Sequence, residues 1–435
     1  MSTGTSMRKW QIRIFAACFI AYTAAYICRV NISVALPGIQ ESLGLSSTRA
    51  GLIGTSFFWI YAIGQLVNGY IGDQVSGRIF IFIGLITSVL INVLFGFSTS
   101  LIFMILLWGA NGIFQSMLWG PIVRILANWF PGRKNASVAF GMSFSMIIGY
   151  LIAWGISGMI MERLGWRWAF WFPAGIVTVL ACVWYVMVRN KPSDIGMPAV
   201  HEEEPVEAAE TADLPGDHGK AGSMAFLKLI SGTNLLFVAF AGITQGIIKD
   251  SISLWSPTLI MNTQNLSLKS TLAVVLIIPV LNFIGILFAG WLNRLLKYKE
   301  KITIMLLMIG SALASLGLVF FIETNTVLTI ILISCASAFI FGANPAMTTI
   351  IPLSYREHRR VSSVAGFIDF SIYVGSGLAG AFTGFIADHY SWTNVFTMWF
   401  LVSLLGALSM GICVFRESRA STAGTVSGQG QNFNE

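Results

Sequence analysis

The chain has 435 residues, of which 55% are hydrophobic and only 10% are charged. Soluble domains carry about 25% charged residues, so this composition excludes a water-soluble globular protein. The net charge of +7 requires no nucleic-acid partner, because basic loops beside anionic membrane lipid account for it.

Apolar stretches of about 20 residues, long enough to cross the hydrocarbon core of a bilayer, recur along the whole chain. We therefore expect an all-α membrane protein with twelve transmembrane helices. The first six are predicted at residues 12–34, 50–72, 79–99, 102–129, 136–160 and 167–188. The second six are predicted at residues 235–262, 270–293, 302–322, 326–350, 361–387 and 393–415.

The polar segments divide the chain into four parts. An N-terminal six-helix half is expected at residues 1–190 and a C-terminal six-helix half at 224–416. The acidic linker between them, residues 191–223, is too poor in apolar side chains to fold by itself. The tail, residues 417–435, is expected to be disordered for the same reason.

The distribution of basic residues predicts the orientation in the membrane. Of the 26 Lys and Arg residues, 20 fall in one alternating set of loops, which includes both termini and the linker, and four fall in the opposite set. Because cytoplasmic loops are enriched in Lys and Arg, we expect a multi-pass protein of the cytoplasmic membrane with both termini in the cytoplasm.

The sequence lacks the motifs that are typical of metal binding, ATP hydrolysis and enzymatic catalysis. All five Cys lie inside predicted helices without a CxxC pair, and all four His lie in loops or in the linker, so we expect no metal site and no cofactor. No phosphate-binding loop and no pair of nucleophile and base is evident. We therefore expect neither an enzyme nor an ATP-driven pump.

The two halves contain traces of one repeated pattern. The first predicted helix contains Arg29 followed by VNIS and Pro37, and the seventh contains Lys249 followed by DSIS and Pro257. The cation, the Ile-Ser pair and the proline have the same spacing in both. Transporters are commonly built from such repeats, with the substrate site where the repeats meet. The pattern predicts two equivalent cations that bind one anion between the halves.

Four charged side chains fall inside predicted helices: Arg29, Lys249, Asp250 and Asp369. A charge at membrane depth costs about 2.5–3.5 kcal/mol on insertion scales, so it persists where it faces a cavity or a partner. Ligand binding by the two cations is the favoured interpretation, and a salt bridge to Asp250 or Asp369 that only locks the bundle is the alternative. Asp250 points about 100° away from Lys249 on a helix, so Asp369 is the better partner for Lys249, unless it binds a coupling proton.

Polar side chains accompany the first cation. Tyr22, Tyr26 and Arg29 are spaced to share one helix face, where two hydroxyl donors and a guanidinium suit a phosphate or carboxylate; anchoring at the membrane interface is the alternative for the tyrosines. Gln65 and Gln115 lie in apolar helices and need polar partners there. Each of these glutamines either binds substrate or bonds a neighbouring helix.

Six short motifs are distributed over both halves of the chain: YxxxYxxRxN from Tyr22, GYIGD ending at Asp73, FQSMLWGP from Phe114, KPSDIGMP from Lys191, WSPT from Trp255 and GFIDFSIYVG from Gly366. Together they resemble the organophosphate:phosphate antiporters of the major facilitator superfamily. The resemblance implies the major facilitator fold and exchange of inorganic phosphate for an organic phosphate by alternating access. It also implies a small anionic solute as partner and function as a monomer.

The resemblance also implies roles for individual residues. It implies a phosphate clamp of Arg29 and Lys249, and it places Gln115 and Tyr373 beside the clamp together with the two tyrosines of the first helix.

Three positions of the chain depart from the glycerol-phosphate transporters of that family. Lys249, Gln65 and Ser145 stand where those proteins carry Arg, Lys and His. These three departures therefore allow a different anion as substrate, including one that carries less charge. The stretch RVNISVALP also resembles anion:cation symporters of organic carboxylates, which are the alternative, and a transporter-like sugar-phosphate receptor is a third possibility.

Overall fold

The computed structural model describes residues 2–131, 135–198, 200, 233–322, 324–355 and 361–429. In these residues, twelve helices are long and apolar enough to span a membrane. The first six are α1 Ser2–Leu43, α2 Ser47–Gln74, α3 Gly77–Phe97, α4 Leu101–Trp129, α5 Asn135–Leu164 and α6 Trp168–Met187. The second six are α7 Leu235–Gln264, α8 Leu268–Leu295, α9 Glu300–Phe321, α10 Thr326–Ile350, α11 Val361–His389 and α12 Trp392–Gln429. The predicted all-α membrane protein with twelve transmembrane helices is confirmed.

Two helices extend well beyond the apolar stretches that predict them. The first helix, α1, runs from Ser2 to Leu43, and α12 continues to Gln429, into the segment 417–435 that the sequence predicts to be disordered. Polar flanks end a membrane span, but a helix that has already formed propagates into them at little cost. Residues 430–435 of the tail and 201–223 of the predicted linker lie outside the described residues.

The fourth span, α4, is interrupted near its middle. It consists of Leu101–Ser116 and Trp119–Trp129, and the amide of Leu118 between them donates to the Gln115 carbonyl oxygen at 3.4 Å. Pro121, just after the break, has no amide hydrogen to continue the ladder of helical hydrogen bonds. A tighter turn therefore joins the two segments.

The described helices belong to two compact units. The first unit comprises Met1–Asp213, Asp250–Val280 and Ser376–Asn394, and the second comprises Leu214–Lys249, Leu281–Gly375 and Val395–Glu435. The expected division into halves at 1–190 and 224–416 stays a prediction.

Helix pairs inside each unit form its core. In the first unit, α2 packs along α4, α1 packs on α5 and α6, and α3 packs on α4 and α6. The indole rings of Trp108, Trp129, Trp154 and Trp184 are fully buried there. In the second unit, α9 packs on α10, and Met308, Met347 and Met410 lie in one buried apolar cluster. Burial of these side chains, together with lipid contact on the outer faces, stabilises the bundle.

The end of α11 closes against the start of α2 within the first unit. A Cβ atom added to Gly380 would lie 2.4 Å from the carbonyl oxygen of Gly51, so the two backbones touch. The Asp388 carboxylate accepts hydrogen bonds from the backbone amides of Ser47 at 2.8 Å and Thr48 at 2.6 Å. A carboxylate from α11 therefore caps the N-terminus of α2, where the helix dipole favours negative charge.

Candidate functional site

The first unit contains a pocket lined by α1, α2, α4, α5 and the part of α7 that begins at Asp250. The space in it that is open to a water-sized molecule is about 30 Å³, enough for about two waters and well below the volume of typical ligand pockets. Its polar lining consists of Arg29, Ser33, Tyr150, Asp250 and Ser253. Among the residues that the structure describes, no group of three or more His, Cys, Asp or Glu could hold a metal ion.

Aromatic rings surround the guanidinium of Arg29, which is only 9% exposed. Its Cζ atom lies 4.8 Å from the ring centroid of Tyr61, 5.0 Å from Phe57, 5.3 Å from Tyr26 and 5.8 Å from Phe58. The faces of aromatic rings attract a cation, and more strongly when water is excluded. These four rings, the aromatic cage, hold a positive charge at the pocket.

The first helix presents its polar side chains on one face, as their spacing predicts. The rings of Tyr22 and Tyr26 meet edge to face with centroids 5.3 Å apart, and Tyr26 in turn lies beside Arg29. Tyr22 also packs on Trp119 of α4 at 4.8 Å. The predicted row of two tyrosines and one arginine is therefore present, and its binding of substrate stays a prediction.

Asp250 lies in the same pocket as Arg29 and is 3% exposed. The sequence offers this carboxylate as a salt-bridge partner for the two buried cations and excludes only its neighbour Lys249 by helix geometry. The structure adds that its direction on α7 brings it into the Arg29 pocket. Two opposite charges therefore share one water-poor site, where their fields are weakly screened.

The hydroxyl groups of the pocket were not singled out as site residues by the sequence. The Tyr150 hydroxyl donates to Ser253 Oγ at 3.3 Å, and Ser33 Oγ donates to the Val30 carbonyl oxygen at 2.7 Å. The repeated pattern contained a signal for two of them, because Ser33 and Ser253 are the serines of its two Ile-Ser pairs. Tyr150 gave no signal, since a single tyrosine in an apolar helix has no spacing to interpret.

Three of the predicted site residues form hydrogen bonds to other groups of the first unit. The Gln115 amide donates to the Ala25 carbonyl oxygen at 2.9 Å and to Ser88 Oγ at 3.0 Å, so it joins α4 to α1 and α3. Gln65 Nε2 donates to the Tyr61 hydroxyl at 2.8 Å. Ser145 is fully buried and its hydroxyl donates to the preceding turn of α5. The Gln115 bonds reach neighbouring helices, whereas the Gln65 bond stays within α2. A role in substrate binding stays a prediction for all three residues.

The remaining predicted residues lie in the second unit. Lys249 Nζ is 5.4 Å from the ring centroid of Tyr373, so the structure brings these two together. Asp369 precedes Tyr373 by one helical turn on α11 and is half-buried. Gln245, one turn before Lys249, donates to Asn344 Oδ1 at 3.1 Å. The second unit therefore also presents a cation beside a tyrosine.

Sequence comparison finds relatives over almost the whole chain. A "Probable hexose phosphate transport protein" of Chlamydia trachomatis serovar D is 27% identical over 93% of this chain and 90% of its own length. The "Hexuronate transporter" of Bacillus subtilis is 28% identical over 91% and 90%. The "Membrane sensor protein UhpC" of Escherichia coli is 25% identical over 92% and 91%.

Comparison with solved structures and family descriptions agrees on the fold. A D-xylose-proton symporter superposes with a TM-score of 0.71, covering 92% of this chain and 96% of that one, at 14% identity. The sequence description of the Major Facilitator Superfamily matches residues 18–368. The structural likeness concerns the arrangement of helices, and the family match covers most of the chain.

Proposed function

The chain belongs to the major facilitator superfamily, and we propose that it is a secondary transporter that exchanges an organic phosphate for inorganic phosphate by alternating access. Relatives that align over nine-tenths of the chain carry hexose phosphate in their names, which supports a phosphate ester as substrate. The resemblance of the helix 1, 4, 7 and 11 motifs to organophosphate:phosphate antiporters supports exchange.

One observation carries this proposal: the guanidinium of Arg29 is buried in a pocket and surrounded by the aromatic cage. An arginine offers a planar fork of donors that matches phosphate oxygens. Holding such a group at membrane depth costs free energy, and a ligand anion offsets that cost during transport.

A second cation completes the proposal. Lys249 occupies the position in the repeated pattern that Arg29 occupies in the first half, so we propose that both bind the anion. Tyr22, Tyr26, Gln115, Tyr373, Gln65 and Ser145 are proposed as neighbouring substrate contacts. Asp369 is proposed either to neutralise Lys249 in the absence of anion or to bind a coupling proton.

Counterflow in liposomes tests the proposal. Purified protein is reconstituted with radiolabelled phosphate inside, and glucose 6-phosphate is added outside. We expect the label to leave in exchange. Arg29→Ala and Lys249→Ala should each reduce the rate by about 30-fold or more, because losing one partner of a buried charge contact costs about 2–5 kcal/mol.

Arg163→Ala is the matched control, since Arg163 is exposed at the end of α5 and its loss should leave exchange unchanged. Each variant must remain inserted and monodisperse. Near-normal exchange by Arg29→Ala in inserted protein would contradict the binding role of the pocket.

Two of the relatives favour other functions, and the same experiment separates them. The similarity to a hexuronate transporter favours uptake of an organic carboxylate, which should follow a proton gradient without phosphate inside. The similarity to a membrane sensor favours a receptor, which should bind sugar phosphate while the trapped label stays inside.

A further inference from the structure

The pocket of the first unit combines a cation with a carboxylate. Arg29 attracts an anion, whereas Asp250, buried in the same pocket, repels it. Such a carboxylate weakens the binding of phosphate, because a like charge near the ligand repels it, and as a counter-ion it would balance Arg29 only in the absence of the anion. The carboxylate becomes favourable when the ligand also carries hydrogen-bond donors, since hydrogen bonds to charged acceptors are the stronger ones.

We propose that Asp250 determines substrate specificity by accepting hydrogen bonds from hydroxyl groups of the transported anion. The pocket then selects polyhydroxylated organic anions over anions of the same size that lack hydroxyl groups. This inference rests on the proposed function as an anion transporter, and it adds the chemical class of the organic part of the substrate.

The other polar atoms of the pocket fit the same ligand. Because Ser33 Oγ uses its proton on the Val30 carbonyl oxygen, it faces a ligand as an acceptor. Ser253 Oγ accepts a hydrogen bond from the Tyr150 hydroxyl. Together with the Asp250 carboxylate, these groups add oxygen atoms to the pocket lining beside Arg29. A chain of hydroxyl groups, each able to donate and accept, matches this lining.

A counter-ion role for Asp250 predicts something different. If the carboxylate only balanced the charge of Arg29, removing it would change the affinity for all anions of equal charge by the same factor. If it binds substrate hydroxyls, removing it changes the ratio of affinities between hydroxylated and plain anions. The ratio is therefore the quantity to measure.

The experiment uses two matched pairs of probes on the full-length protein, and the first pair competes with labelled phosphate in liposomes. Glycerol 3-phosphate and n-propyl phosphate share a three-carbon skeleton and differ by two hydroxyl groups. Gluconate and hexanoate form the corresponding carboxylate pair, with a fluorescent thermal-shift assay as the readout in detergent. The variants are Asp250→Asn, Asp250→Glu and, as a control that removes an exposed carboxylate, Glu162→Gln.

We expect the wild type and Glu162→Gln to prefer the hydroxylated member of a pair by about tenfold or more, as one charge-assisted hydrogen bond allows. Asp250→Asn should lose most of this preference and bind n-propyl phosphate more tightly, because the repulsion is gone. Asp250→Glu should recover part of the preference. Equal preference in the wild type and in a folded Asp250→Asn variant, or no preference in the wild type, overturns the inference.

The gluconate and hexanoate measurements distinguish failure of this inference from failure of the proposed function. If neither phosphate ester competes but gluconate stabilises the protein more than hexanoate does, and Asp250→Asn removes that difference, phosphate exchange fails while the role of Asp250 stands. If phosphate esters exchange without regard to their hydroxyl groups, the proposed function stands and the role of Asp250 fails.

Discussion

The aromatic cage determines how much freedom the guanidinium of Arg29 retains before a ligand arrives. Four ring centroids lie within 4.8–5.8 Å of its Cζ atom. An unrestrained arginine loses up to about 2 kcal/mol of rotamer entropy when it is fixed. Because folding already orders this side chain, anion binding at the pocket pays less of that entropy.

Two substitutions at Tyr61 distinguish the contribution of its aromatic ring to anion binding from the contribution of its hydroxyl group. Tyr61→Leu keeps apolar bulk but removes a ring whose cation–π contact is worth about 1–2 kcal/mol in a desolvated site, so the KM for exchange should rise by about 5- to 30-fold. Tyr61→Phe keeps the ring and loses the hydroxyl that accepts the Gln65 hydrogen bond, and it should change KM by less than about threefold.

Liposome exchange with thermal unfolding of the same samples measures both effects. Equal KM values for the two Tyr61 variants, at similar stability, would mean that the cage does not position Arg29.

The sequence predicted the row of two tyrosines and one arginine on one face of α1. Tyr22, Tyr26 and Arg29 follow from helical spacing alone. The rings of Phe57 and Tyr61 could not be predicted, because their contact with Arg29 depends on how α2 packs against α1. Asp250 was recognised as a buried charge, but its position in the Arg29 pocket depends on the placement of α7 in the first unit.

At the scale of helices, α2 and α11 cross where glycines leave no side chain to hold their backbones apart. Gly51 and Gly380 touch, and the Asp388 carboxylate holds the start of α2. Small residues permit such approach in lipid, where packing and hydrogen bonds drive helix association. The glycines of α11 are visible in the sequence, but their partner helix depends on tertiary packing that the sequence does not show.

A methyl group at the crossing should therefore be costly. Gly380→Ala places Cβ 2.4 Å from the Gly51 carbonyl oxygen and 2.8 Å from Thr55 Oγ1, so the backbones must separate, at a cost of about 1–3 kcal/mol. We expect a melting temperature several degrees lower in detergent than for the wild type, since about 1 kcal/mol shifts it by about 2–4 °C in larger domains.

Gly366→Ala is the matched control on the same helix, because nothing lies within 4 Å of a Cβ atom at Gly366. It should be neutral or slightly stabilising, as alanine is the better helix former by about 1 kcal/mol. If both variants melt alike, the close crossing of α2 and α11 is not the packing that the protein has in solution.

At the scale of the whole molecule, composition and periodicity were sufficient to predict twelve spans and their order. The ends of the helices were less predictable, because α1 and α12 continue as helices through polar flanks. Hydropathy predicts where the chain lies in the membrane, and a helix can extend beyond that region. The interruption of α4 also escaped prediction, although Pro121 in the middle of an apolar stretch was a signal for it.

The charge asymmetry of the chain predicts its orientation in the membrane, and fusion proteins can test that prediction directly. Twenty of the 26 Lys and Arg residues lie in one alternating set of segments, which includes both termini, and each basic residue near an anionic leaflet contributes about 1 kcal/mol to holding its loop there. We expect green fluorescent protein fused after Glu435 to fluoresce in the cytoplasm. Alkaline phosphatase fused after Leu164, between α5 and α6, should be active, whereas the same enzyme fused after Gly196 should be inactive. An active fusion at Gly196 with an inactive one at Leu164 would reverse the orientation, and the linker would then face the outside of the cell.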